Sequence, residues 1–258
     1  MIEIFAPLLP GSFTLPLFVA ALCVGIFAGF VKGVTGFAMP MVMISGLTTF
    51  LSPELALAAL ILPTAVTNIW QALRQGWRAA WDAIRKFGLF LGVGGAVLLG
   101  SAQLVNVFDT KILFGLIGVA ITTFALMQLF GWRPALSATR RTEAAVGAVA
   151  GFIGGLSGVW GPPTVAYLTA INTPKAEHVR VQGVVYGLGA VALALAHVQS
   201  GVLNEDTWPF SALMVLPALG GMAIGMQVQD RIDQATFRKV TLVVLVIAGL
   251  NLMRRALF

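Results

Sequence analysis

Between Glu3 and Glu54 this chain carries a single charged residue, Lys32, and the remainder follows the same pattern of apolar runs parted by short polar punctuation. A helix crosses the hydrocarbon core of a bilayer with about 20 predominantly apolar residues, and these runs approach or reach that length. Of the 258 residues, 58% are hydrophobic and 10% charged, where a soluble domain would have about 25% charged. The chain therefore reads as an all-α integral membrane protein. Its runs are continuous, unlike the alternating segments of about ten residues that build a membrane barrel. The opening stretch, MIEIFAPLLPGSFTLP, has no Lys or Arg ahead of the apolar run and no small-residue cleavage pattern, so it is read as retained. Cys23 is alone, which excludes an intramolecular disulfide. The net charge of +6 fits cytoplasmic loops and lipid head groups, and nucleic acid is set aside as a partner.

The punctuation places helices near 53–74, 87–107, 110–131, 176–199, 208–228 and 234–256. Two further stretches are interrupted. GFVKGVTGFAMP, residues 29–40, divides runs at 15–32 and 39–51; GFIGGLSGVWGP, residues 151–162, divides runs at 143–155 and 163–172.

The interruptions belong to a duplication. Shifted by 122, Val24, Gly25, Ala28, Gly29, Phe30, Gly33, Gly36 and Pro40 fall on Val146, Gly147, Ala150, Gly151, Phe152, Gly155, Gly158 and Pro162, eight identities in seventeen positions. Thr35 falls on Ser157, and at a shift of 125 Gly76, Gly95 and Gly100 fall on Gly201, Gly220 and Gly225. The domain reading is a first transmembrane repeat over 1–131, an inter-repeat loop over 132–142 and a second repeat over 143–258. If both broken elements cross, eight spans and parallel repeats result. If each is a re-entrant hairpin, each half has three full spans and the halves are inverted. Cytoplasmic loops concentrate Lys and Arg. The hairpin arrangement places twelve basic residues on one side and three on the other, whereas the eight-span arrangement divides them nine to six. The inverted repeat is favoured, although Arg254 and Arg255 then lie outside.

Non-helical backbone at membrane depth is tolerated where protein buries it or a cavity lines it. Inverted-repeat transporters place such breaks at the midplane, where half-helix ends meet a substrate. A helix N-terminus carries a partial positive charge and attracts anions. Each second half-helix here starts after glycines with a proline in its first turn, Pro40 or Pro162–Pro163. Gly33, Gly36, Gly155 and Gly158 would admit a ligand to the backbone, and Thr35 and Ser157 add hydroxyls. The predicted site is small, dry and suited to an oxyanion, held where the two hairpin tips meet. Lys32 reads as a counter-charge for that anion or, equally, as a structural lysine that reaches the interface or pairs with a carbonyl at the break. Its repeat partner is Gly154. Asn68 with Gln71, and Gln182 with Tyr186, lie one turn apart and either line the cavity or hydrogen-bond between helices. Trp160 walls the site or packs, and His197 reads as interfacial. Trp70, Trp77, Trp81 and Trp208 read as interface anchors, and the runs 92–95 and 187–190 as close helix contacts.

All ten acidic residues fall at helix ends or in loops, so a carboxylate proton relay has no candidate. No ATP-binding motif, metal cluster or catalytic set is expected, and no cofactor. The paired motifs GFVKGVTGFAMP and GFIGGLSGVWGPP, with Ala72, Leu73, Arg74 and Gly76 closing the next helix, resemble the sulfite exporter TauE/SafE family, also called the toluene-sulfonate uptake permeases. The resemblance covers nearly the whole chain. It implies a non-enzymatic secondary transporter, in a bacterial plasma (inner) membrane, for sulfite, a sulfonate such as sulfoacetate, or a related small acid. By position it implicates Gly33, Thr35, Gly36 and Pro40, with Gly155, Ser157, Gly158 and Pro162. Phe37 and Ala38 stand where the commonest version of the motif has glycines. The partners expected are the anion and the lipid bilayer, with a homodimer as the candidate assembly. Two alternatives accompany this reading. One is an anion channel of the same architecture. The other is an intramembrane serine protease using Ser157 of GLSG, disfavoured because the duplicate motif GVTG carries threonine.

Overall fold

A computed structural model describes residues 14–102, 110–132, 137–157, 160–199 and 201–257. The N-terminal stretch read as retained lies outside the described residues, apart from its last three positions. The described residues form eleven α-helices: α1 (Leu15–Thr35), α2 (Met39–Leu47), α3 (Pro53–Leu73), α4 (Trp77–Lys86), α5 (Gly88–Ala102), α6 (Thr110–Leu129), α7 (Arg140–Ser157), α8 (Gly161–Ala170), α9 (Lys175–Gln199), α10 (Trp208–Arg231) and α11 (Gln234–Leu257). By length and composition α1, α3, α10 and α11 can each cross a membrane, and α4 with α5 supply a fifth candidate if their bent pair is one span.

Helix boundaries follow local chemistry. Ser52 caps α3 by accepting a hydrogen bond from the Leu55 N–H at 3.3 Å, with Pro53 in the first turn. α1 runs three residues past the run read from the sequence, because Gly33, Val34 and Thr35 remain helical until Gly36 turns left-handed at φ 84°. At 21 residues it is about 31 Å long by helix rise. The limb before the first break is thus itself of span length, where the hairpin reading expects a shorter piece. The stretch that forms α4 is polar punctuation by its hydropathy, yet it is a helix, bent 72° from α5. Its apolar residues recur at helical spacing and never form a run, so a scan for runs passes over it.

The chain divides into two compact units, and the division does not follow the repeats. One unit takes the residues up to Arg74 and Gly183–Ile232; the other takes Gln75–Gln182 and the residues from Asp233 onward.

In the first unit α10 packs along α1 and α3, and α2 packs against both α1 and α3. Its core is built from Ala21, Ala28, Met39, Met43, Phe210 and Met214, among others. Gly25, Gly29 and Gly33 form a stripe that lets α10 approach: a Cβ on Gly29 would sit 2.1 Å from the Ala218 carbonyl oxygen.

In the second unit α5 packs along α7 and α6 along α11. A Cβ on Gly151 would sit 2.1 Å from the Gly94 carbonyl oxygen, and one on Gly147 would sit 2.8 Å from that of Phe90. The carboxylate of Glu143 accepts the Phe90 N–H at 3.0 Å, satisfying one of the free donors in the first turn of α5. Arg238 of α11 donates to Gln128 Oε1 at 2.6 Å and to Asn172 Oδ1, joining the C-terminal ends of α6 and α8.

The two glycine stripes obey the duplication. Gly25 and Gly29 meet Met214 and Ala218; their equivalents Gly147 and Gly151 meet Phe90 and Gly94. Both partner pairs are offset by one residue less than the 125 read from the later glycines. Each broken helix therefore packs on a helix contributed by the other half of the sequence.

Candidate functional site at the first helix break

The first break is three residues long. Gly36 (φ 84°) ends α1, Ala38 (φ 71°) is a non-glycine residue in the left-handed region, and Met39 begins α2 with Pro40 in its first turn. Left-handed backbone costs an L-residue roughly 1–2 kcal/mol, so the surrounding packing must hold Ala38 there; it is buried, as are Phe37 and Met39.

A helix that stops inside an apolar environment leaves carbonyl oxygens in need of donors. The Lys32 carbonyl accepts from Gly36 N–H at 2.6 Å and the Val31 carbonyl from the Thr35 hydroxyl at 2.8 Å. The Val34 carbonyl accepts from Gln229 Nε2 of α10 at 3.3 Å, and the Gly36 carbonyl from Gln71 Nε2 of α3 at 3.0 Å. Gln229 is fixed in turn by Arg74, whose Nη1 donates to its Oε1 at 3.1 Å while Nη2 pairs with Asp230 at 2.5 Å. Two carboxamides from neighbouring helices thus satisfy carbonyls that the break leaves without helix partners.

Lys32 lies in the last turn of α1, 2% exposed, and its ammonium donates to Asn68 Oδ1. A cation there complements the partial negative charge of the α1 C-terminus. An ammonium has three donors, and Asn68 accepts one. Among the described residues no carboxylate lies within ion-pair distance of Lys32. Burying a charge is unfavourable unless it is paired and hydrogen-bonded, and the neutral amide of Asn68 offsets that cost in part. The partner of Lys32 is a side chain on α3 and not a carbonyl at the break.

Asn68 and Gln71 make hydrogen bonds between helices, the second of the two roles their spacing allows. Their stretch of α3 is crossed by α9, where a Cβ on Gly183 would lie 2.5 Å from Ala72 N and one on Gly187 would lie 3.8 Å from Asn68 Cβ. Tyr186 is buried on that part of α9. Gly33 and Thr35 also serve the helix itself. The space beside Gly33 is taken by α10, since a Cβ there would meet the Met222 carbonyl oxygen at 2.4 Å; its missing side chain admits a helix. The Thr35 hydroxyl donates back to its own helix. Gln229 is the break residue that sequence reasoning misses, because the apolar run of α10 ends at 228. Its one signal is its place beside Asp230 and Arg231, at a helix end.

The second break is described on its own. α7 runs to Ser157, and Gly158 and the Ser157 side chain lie outside the described residues. Trp160 precedes α8, with Pro162 and Pro163 buried in its first turn and the Thr164 hydroxyl donating to the Trp160 carbonyl at 2.9 Å. Gly155 is half-buried. The Trp160 side chain packs on Gly154, where an added Cβ would come within 3.0 Å of it. Gly154 is the repeat equivalent of Lys32, so a tryptophan covers the helix there. Gln182, in the same unit, is fully buried, with neither amide atom hydrogen-bonded among the described residues.

The family model described as Sulfite exporter TauE/SafE matches residues 21–252, a span that includes both breaks. No curated protein and no solved structure matches the chain.

Proposed function

The chain belongs to the sulfite exporter TauE/SafE family of membrane transporters, and from that premise we propose that it moves a small oxyanion by alternating access, with Lys32 supplying the charge that holds it. The observation that carries the proposal is a buried ammonium at a helix break whose acceptor is the neutral Asn68. A buried charge without an opposite charge is unfavourable, and an anion arriving beside it supplies the missing partner. Sulfite, a sulfonate such as sulfoacetate, or a related small acid has the size and charge for that role.

In this mechanism the anion binds to the donors that Lys32 has left over from Asn68. The partial positive charge at the start of α2 adds to the attraction. The second break is the repeat equivalent of the first, and its own candidate groups for an anion are Ser157, Gly158, Trp160 and Pro162. Transport requires the bound site to open to each side in turn, and the glycine break is the natural place for that flexing because few backbone bonds cross it. The membrane proposed is the bacterial plasma membrane.

The test is a solute-dependent thermal-shift titration of the purified chain with sulfite, sulfoacetate, taurine and lactate, on the natural sequence and on Lys32→Gln. At least one of the anions should stabilise the natural protein, and Lys32→Gln should weaken its binding by tenfold or more, about 1.4 kcal/mol. Equal affinity in both proteins would remove Lys32 from the site. Counterflow in liposomes separates carrier from channel: saturable exchange supports alternating access, and unsaturated current overturns it.

A further inference from the structure

α4 is a short helix with no counterpart among the apolar runs, and its surface is sharply divided. Ala80 and Ala83 are buried, as is Phe87 just beyond the helix end. On the outer side Trp77 and Trp81, one turn apart, are 67% and 47% exposed. Arg78 and Arg85, two turns apart, run beside them as a parallel stripe. Each guanidinium leans over one tryptophan, Arg78 at 5.7 Å from the ring of Trp77 and Arg85 at 5.4 Å from that of Trp81. Lys86 is engaged elsewhere, with Glu177 at 2.5 Å, and Asp82 is the one acidic residue of the helix.

We infer that α4 lies along the membrane surface and binds the head groups of anionic phospholipids, through Arg78 and Arg85 above an anchoring pair, Trp77 and Trp81. The 72° bend to α5 turns α4 away from the axis of the apolar helix it precedes, the orientation an interfacial helix needs. Tryptophan rings settle at the level of head groups, and arginine forks onto phosphate. Stacking each guanidinium over an indole orients it before a phosphate arrives. A lipid surface suits this face better than a protein partner does. The apolar and basic stripes run side by side along the helix, matching the layering of acyl chain and head group, and basic side chains favour acidic lipid.

The experiment uses the full chain in phosphatidylcholine vesicles containing an equal fraction of either brominated phosphatidylglycerol or brominated phosphatidylcholine. Bromine quenches nearby indoles. The Trp77 and Trp81 component is isolated by difference from a Trp77→Phe/Trp81→Phe variant. The phosphatidylglycerol label should quench that component more, by about fivefold in local enrichment per arginine at low salt, and the preference should fall as salt is raised. Arg78→Gln/Arg85→Gln should lose the preference, and Arg78→Lys/Arg85→Lys should keep most of it, so a poorly folding glutamine variant does not end the test. Equal quenching by the two lipids, or a preference that survives in the glutamine pair, would overturn the inference. Absence of quenching by either lipid would overturn it too, and would point to a protein covering the helix.

Discussion

Lys32 and Asn68 form a charged group with a neutral partner, and the two halves of that pair should respond differently to mutation. Removing the ammonium with Lys32→Met takes away a buried charge and leaves an amide that can rotate toward other partners. Replacing a buried ionic group with an apolar side chain of similar length is often neutral or better for stability. Removing the acceptor with Asn68→Leu strands the ammonium, and losing a hydrogen bond to a buried charge costs about 2 kcal/mol. The expected order in thermal or denaturant melts is Lys32→Met close to the natural protein, Asn68→Leu well below it, and the double variant recovering most of the loss. Equal losses in both single variants would make the pair a plain structural hydrogen bond. At this scale the sequence is legible where one residue is out of place: Lys32 is the only charge between Glu3 and Glu54, with roughly a span's length of uncharged chain on either side. It is illegible where the outcome depends on a rotamer. Thr35 has the chemistry to face a ligand, yet its hydroxyl turns back to Val31.

Glycines that look alike in the repeat play different parts once helices are in place. Gly29 and Gly151, matched at 122, are sites of direct helix contact; a Cβ added at Gly95 or Gly220, matched at 125, would have nothing within 4 Å. Gly29→Ala would place its methyl 2.1 Å from the Ala218 carbonyl oxygen, and backbone cannot retreat as a side-chain tip can. The helices must part, at a cost of about 1–3 kcal/mol. Gly95→Ala meets open space and gains helix propensity, so it should be neutral or stabilising by up to about 1 kcal/mol. Melting temperatures of the two variants in the same detergent check the contrast, which fails if both fall together. The sequence identifies the stripe of small residues because packing at close range admits few residue types. It does not identify the partner surface, because Met214, Pro217 and Ala218 carry no mark of what they touch. The same limit hides α4: its amphipathic pattern is legible as a helix by period, and invisible to a reading organised by apolar length.

Fold class and family are legible along nearly the whole chain, because apolar length marks the membrane helices and the duplicated motif is long. The assembly of the units is not, since a repeat in sequence suggests that each half folds on itself. The contacts are otherwise. α10, from the second half, packs along α1 and α3, and its Gln229 donates to the Val34 carbonyl at the first break. α5 and α6, from the first half, pack along α7 and α11, and Glu143 caps the first turn of α5. A chain cut in the stretch between α6 and α7 therefore leaves neither compact unit whole. Residues 1–131 alone would lose the α10 glycine contact and the donor to Val34, and an unsatisfied carbonyl in lipid costs several kcal/mol. Residues 143–258 alone would leave the stripe at Gly147 and Gly151 without α5. Expressed singly, each fragment should be degraded or aggregate; expressed together, they should co-purify as a helical complex through detergent, because the missing surfaces are then supplied in trans. A monodisperse, cooperatively melting product from residues 1–131 alone would mean that the first repeat is self-sufficient, and that the exchange of helices between halves is not what stabilises the molecule.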